Sequence, residues 1–202
     1  MPLAQAIGGL RGFPLRDHWF LSSFLHDAGH RAGWLLLLAI CLGLWWPTRP
    51  LHLLPFPSRL QLAAGILLSL LLIAILKTSS STSCPWDLAE FGQLARYTSH
   101  WSRLADGGPG RCFPAGHAAT GFAFIGGFFV FRKHHPSIAR RWLWISVLAG
   151  FVFGIAQQLR VAHFMSHTLW TGFLCLGASA LLDRLWPRLT RRFAAPPLTA
   201  KG

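Results

Sequence analysis

Charged residues are scarce in this chain, and acidic ones scarcest of all. Only 12% of its 202 residues are charged, and 6 are Asp or Glu against 19 Lys and Arg. Soluble domains carry about 25% charged residues, so half that share argues against an aqueous exterior. The long apolar stretches also lack a polar face at helical period, which excludes a soluble helical bundle. No internal repeat is present, and a single membrane domain over residues 1–202 is expected. No apolar run precedes residue 32, so the sequence reads as lacking a cleavable signal peptide, and the first spanning helix directs insertion. The basic residues form no stripe interleaved with polar helix. Nucleic acid is therefore not expected as a partner, and the net charge of +13 is read as orienting the chain and meeting anionic headgroups of a lipid bilayer.

What the chain has in quantity is apolar sequence: 52% of its residues are hydrophobic, and 10 are Trp. Five stretches are free or nearly free of charge: Ala32–Trp46, Leu60–Leu76, Phe113–Phe131, Trp142–Leu159 and Val161–Leu182. A spanning helix needs about 20 apolar residues. The first stretch is short and uses Trp45, Trp46 and Pro47 as its interfacial boundary. The expected fold is all-α, a polytopic membrane helical bundle of about five transmembrane helices. An N-terminal interfacial helix is expected within residues 1–30, where Trp19, Phe20 and Phe24 fall on one face. Residues 78–112 are the longest polar segment. Loops of that length are usually functional, and a short amphipathic piece over Trp86–Tyr97 is expected within it.

Five spans place residues 1–31, the 77–112 loop and the Arg160 end on one side of the membrane. The turns at 47–59 and 132–141 and the basic tail 187–202 lie on the other, which holds eleven of the 19 Lys and Arg. The positive-inside rule makes that second side cytoplasmic. In a Gram-negative cell the first side faces the periplasm, so the protein is expected in the bacterial inner membrane. Three patches then meet on the outer side. They are Lys77…Cys84-Pro85, Pro114-Ala115-Gly116-His117, and Gln157…Arg160-Val161-Ala162-His163…His167. Ionisable groups at the mouths of apolar segments are costly and read as a functional site.

In order, spacing and helix placement these patches resemble the type 2 phosphatidic acid phosphatase superfamily, which also contains the vanadium haloperoxidases. That family carries a lysine followed after six residues by Arg-Pro, then Pro-Ser-Gly-His, then Ser-Arg with a histidine and an aspartate beyond. Here Cys84 stands in the place of the first arginine, Ala115 of the serine, Gln157 of the second arginine and His167 of the aspartate. The resemblance implies a phosphatase using a phosphohistidine intermediate and no cofactor. His163 is then the nucleophile and His117 the general acid and base, while His167 orients the nucleophilic ring. Lys77 and the backbone at Gly116 hold the phosphate, with Arg160, one turn after Gln157, and Arg111, just before the second patch, as candidates to compensate for the two missing arginines. Asp87 is a candidate carboxylate support for His163. The substrate it implies is a membrane phospholipid or a polyprenyl phosphate.

Alternatives stand beside these readings. The phosphohistidine is open to interception by a lipid hydroxyl or phosphate, which makes a phosphotransferase. Loss of two arginines, a serine and an aspartate is also compatible with a non-catalytic lipid-binding protein. His117, His163 and His167 suit zinc as imidazoles, but the neighbouring lysine and arginine disfavour a cation, and no metal is expected. Cys41 and Cys175 fall inside apolar spans and read as packing residues. Cys84 and Cys112 flank the outer loop, either as two free thiols or, in an oxidising compartment, as a disulfide tethering the first patch to the second.

Overall fold

The computed structural model describes residues 2–8, 12–99, 101–102 and 104–191. It is all-helical, with no strand among the described residues. A short helix α1 (Pro2–Ile7) leads to a π-helical stretch, Phe20–Ala28, which runs directly into α2 (Gly29–Leu42). Then come α3 (Phe56–Ser79), α4 (Gly116–Phe122), a 3-10 turn at Ala123–Ile125, α5 (Gly126–Phe131), α6 (Pro136–Leu159) and α7 (Met165–Arg191).

Three of these are long and apolar enough to cross a membrane: Phe56–Ser79, Pro136–Leu159 and Met165–Thr190. Proline opens both α3 and α6, where the missing N–H costs nothing because the first turn has no partner for it. The helical run Gly116–Phe131 is apolar but shorter, and α2 has 14 residues.

The boundaries differ from the sequence reading in three places. The helical segment before residue 30 is not separate from the first apolar stretch, since helix is continuous from Phe20 through the π-helical stretch to Leu42. The last span begins at Met165, because Arg160 to Phe164 form the turn between α6 and α7. Helix α7 also runs through Pro187 to Arg191, so part of the expected tail is helical. Proline removes only one hydrogen bond there, close to the helix end. Residues 192–202 of that tail lie outside the described residues.

Close packing follows from small residues. Helices α4 and α6 touch where Gly121 meets Gly150, and a Cβ on Gly121 would run into the Gly150 backbone. Contacts of this kind substitute for the hydrophobic drive that helices lack in lipid. Leu62, Ile66, Phe124 and Phe131 fill the middle of the bundle with α3 and α5, while Ile73, Ala118, Ala119 and Phe122 pack nearer the outer end.

The outer loop is held by backbone pairing rather than by secondary structure of any length. Asp106, buried, accepts hydrogen bonds from the Ser83 backbone (2.6 Å), the Ser83 hydroxyl (2.8 Å) and the Gly108 backbone (3.0 Å). The N–H groups of Arg111 and Cys112 donate to Ser80 and Thr82 at 2.8 and 2.9 Å, and that of Trp86 to Val161 at 3.1 Å. Cys84 and Cys112 are joined by a disulfide. The expected piece over Trp86–Tyr97 consists of two 3-10 turns, Pro85–Asp87 and Ala89–Phe91, and a bridge from Leu88 to Ala95.

Candidate active site

Each of the three sequence patches sits at the end of a helix, and all three ends are at the same end of the bundle. Lys77 occupies the last turn of α3, and its stem runs against Gly116, the first residue of α4. His117 is therefore one residue from Lys77's path. The start of α4 is fastened to α7, because the Thr171 hydroxyl lies 2.9 Å from the His167 carbonyl and 3.1 Å from that of Ala115. That clamp brings His117 toward the α6–α7 turn, where His163 lies.

The turn itself is strained. Val161 has φ 59°, a left-handed conformation that a β-branched residue rarely adopts. Its N–H donates to Gln158 and its carbonyl accepts from Trp86, and the side chain is buried. This reversal after Arg160 folds the chain back so that His163 lies inside the protein.

His163 is buried, and its pKa is pushed well below 6.5, first by burial and then by Lys77, His167 and His117. The Cys112 backbone, which accepts a hydrogen bond from the ring, opposes this shift. The imidazole is therefore neutral at ordinary pH, the form that carries a free lone pair. Sγ of Cys112, which bears no proton in the disulfide, lies 3.4 Å from Nδ1 of His163 and 3.0 Å from the Ala162 carbonyl. The ring of His167, also buried, is 5.8 Å from that of His163 between centroids. Two neighbours thus hold the His163 ring, and of these the sequence pointed to His167 but not to Cys112.

The remaining expected residues divide. Arg160 caps α6, close enough to His117 to act on it electrostatically. Its Nε donates to the Arg16 carbonyl at 2.7 Å, and one terminal nitrogen lies 3.4 Å from the Gln157 side-chain oxygen. Arg111 also has a left-handed φ of 59°, and its side chain is exposed, making no hydrogen bond or ion pair to the imidazoles among the described residues. Asp87 accepts the Cys84 N–H at 3.3 Å and hydrogen-bonds Trp86. It is taken up by its own turn rather than by His163. Burial raises its pKa, and those hydrogen bonds together with Arg16 pull it back.

The zinc alternative needs His117 to join His163 and His167. Among the described residues, the buried donors that lie within 4.8 Å of one another are instead those of Cys112, His163 and His167. Cys112 is spent in the disulfide, and two imidazoles fall short of the three or four protein ligands zinc uses.

Two histidines were not singled out from the sequence. The ring of His26 lies against that of His117, tilted by 30° with centroids 3.9 Å apart, and that of His30 lies 5.7 Å away. Their spacing of four residues, which puts both on one helical face, was the available signal.

The family model of the PAP2 superfamily matches residues 59–191, about two thirds of the chain and every expected site residue. The chain belongs to the PAP2 superfamily. No curated protein matches it, and no solved structure does. Superfamily membership together with three apolar helices of spanning length fits a membrane phosphatase.

Proposed function

We propose that this PAP2 protein is an integral membrane lipid phosphatase whose site faces the outer side of a bacterial inner membrane. The observation that carries this reading is the meeting of Lys77, His117 and His163 at one end of the bundle, with His163 neutral and enclosed. Phosphoryl transfer asks a protein mostly for positioning and for charge on the equatorial oxygens, and Lys77 and Arg160 provide the cations.

In the first step the free ring nitrogen of His163 attacks phosphorus. The bond to the leaving oxygen breaks as His117, which takes up a proton together with the anionic substrate, supplies that proton, leaving a phosphohistidine. In the second, water gives a proton to His117 and its oxygen attacks phosphorus, and the N–P bond breaks to release phosphate. The hydrogen bond to Cys112 and the neighbouring His167 hold the ring for both steps.

A lipid substrate is supported by an apolar groove of about 540 Å³ beside the site. It begins at Gly29, Gly33 and Thr120 and runs between α2, α4 and α6 to Arg141 and Trp142. Its upper end lies one helical turn from His117, so a headgroup at the imidazoles leaves its chain facing apolar walls.

The test is phosphate release from a panel of phosphatidic acid, phosphatidylglycerol phosphate and polyprenyl diphosphate by purified protein. Turnover that disappears in His163→Ala and His117→Ala supports the reading. No turnover on any lipid leaves a lipid-binding protein, and label moving to a second lipid instead of to water identifies a phosphotransferase.

A further inference from the structure

The phosphate-holding arginines of the family pattern are absent at Cys84 and Gln157, yet the site has gained two imidazoles from outside the matched region. Both come from the N-terminal helix. His26 lies in the π-helical stretch and His30 in the first turn of α2. A π-helix is rare, and where it occurs it often marks a functional site.

The same face that carries the two histidines carries two glycines, and these make the contact possible. A Cβ on Gly29 would run into the Phe153 ring of α6, and one on Gly33 into the Thr120 methyl of α4. With both positions reduced to hydrogen, the helix lies near enough to α4 for His26 and His30 to reach His117. The two imidazoles remain partly accessible, with His26 half-buried and His30 exposed.

We propose that His26 and His30 are phosphate-binding residues that take over part of the work of the missing guanidinium groups. The proposal rests on the functional reading above. A phosphate within hydrogen-bond reach of His117 has its other oxygens about 2.5 Å further out, as tetrahedral geometry requires. Rings with centroids 3.9 and 5.7 Å from that of His117 can present N–H groups to those oxygens. His26 is prepared for this role. Its Nδ1 lies 2.6 Å from Oδ1 of Asp27, which fixes the ring and leaves Nε2 directed outward.

Inorganic phosphate, titrated into the full chain in detergent and followed by 31P NMR, is the probe. Replacing both rings by phenylalanine (H26F with H30F) keeps stacking and bulk but removes every donor. The expected result is a Kd raised tenfold or more, with H26R and H30R holding it within about threefold of wild type. Single variants H26F and H30F, read beside their melting temperatures, cover the case in which the pair does not fold, and at least one should lose threefold or more. Phosphate affinity unchanged in the phenylalanine variants means the rings only pack, and the proposal falls.

Failure of the underlying reading looks different. A wild-type chain that neither binds phosphate nor releases it from any lipid overturns the phosphatase and this proposal together. Turnover abolished by His163→Ala, with phosphate binding intact in the phenylalanine variants, overturns this proposal alone.

Discussion

The two ends of the bundle, called outer where Lys77 and His117 lie and inner at the other, hold similar groups among different neighbours. At the inner end, Asp183 of α7 receives Arg132 at 2.6 Å and Gln61 at 2.9 Å, and Arg59 donates to the Gly43 carbonyl at 3.1 Å. Arg132 and Arg59 each have a partner there, and the contacts join α3 to α7, to the end of α5 and to the end of α2. At the outer end Lys77 is half-buried with no ion pair among the described residues, and His117 is surrounded by His26, His30, Lys77 and Arg160. These inner polar groups act on one another, whereas Lys77 and His117 face groups of their own sign. On the proposed reading a phosphate completes the outer end, and a loss there should cost activity more than stability.

The largest expected effect is at that end. His163→Ala removes the nucleophile and should lower phosphate release by about a thousandfold or more, with a melting temperature close to wild type. A variant that unfolds instead would show His163 to be a packing residue.

Opening the disulfide comes next. Cys84 and Cys112 are separated by 28 residues, and closing a loop of that size stabilises by about 3.6 kcal/mol in the chain-entropy account. Cys84→Ser with Cys112→Ser should melt earlier and also turn over more slowly, because Cys112 contacts His163. Undiminished turnover per folded molecule would show that the disulfide does not position the ring.

At the inner end, Asp183→Ala strands Arg132 and Gln61. It should cost about 1–3 kcal/mol of stability, toward the low end because the Arg132 side chain is partly exposed, with turnover per folded molecule unchanged. Lost turnover at full stability would erase the contrast between the two ends.

A smaller effect is set by pH. The folded pKa of His163 lies well below its unfolded value near 6.5, so the unfolded chain binds the proton more readily. The stability lost on this account appears as pH falls below about 6.5, and it is absent above it. Thermal melts from pH 7.5 to 5 should show a fall that is shallower in His163→Gln. Equal slopes would mean that His163 is not kept neutral by its surroundings.

Smallest is Val161→Gly. It releases a left-handed backbone cost of about 1–2 kcal/mol but gives up a buried side chain worth a similar amount. Thermal melts should show a net change within about 1 kcal/mol. A larger loss would mean that the side chain, not the turn, holds the α6–α7 junction.

How far the sequence revealed this comparison depends on the kind of signal each element carries. Helices α3, α6 and α7 were legible because a long apolar run has few other uses. The start of α7 was misplaced because Val161, Ala162 and Phe164 are as apolar as a helix, and only the turn geometry stops them. Residues 20–30 read as a separate surface helix because His26, Asp27 and His30 interrupt the hydropathy, although the two histidines contact His117.

At the site, the spacing of Lys77, His117 and His163 was visible, since motif order survives along the chain. The fates of Asp87 and Arg111 were not. Each is decided by a local turn and a backbone hydrogen bond, which spacing does not encode. The contact between Cys112 and His163 was hidden for a related reason: it joins residues 51 apart through the fold of the outer loop.

The most direct test of the outer end is to trap the phosphoryl group. Wild type, His117→Ala and His163→Ala are incubated with a lipid phosphate labelled on phosphorus, then denatured in alkali, where phosphohistidine survives. Label bound to the wild-type chain, lost in His163→Ala and mapped to His163, is the predicted result. Turnover by wild type with no label on His163, or label that persists in His163→Ala, would contradict the account.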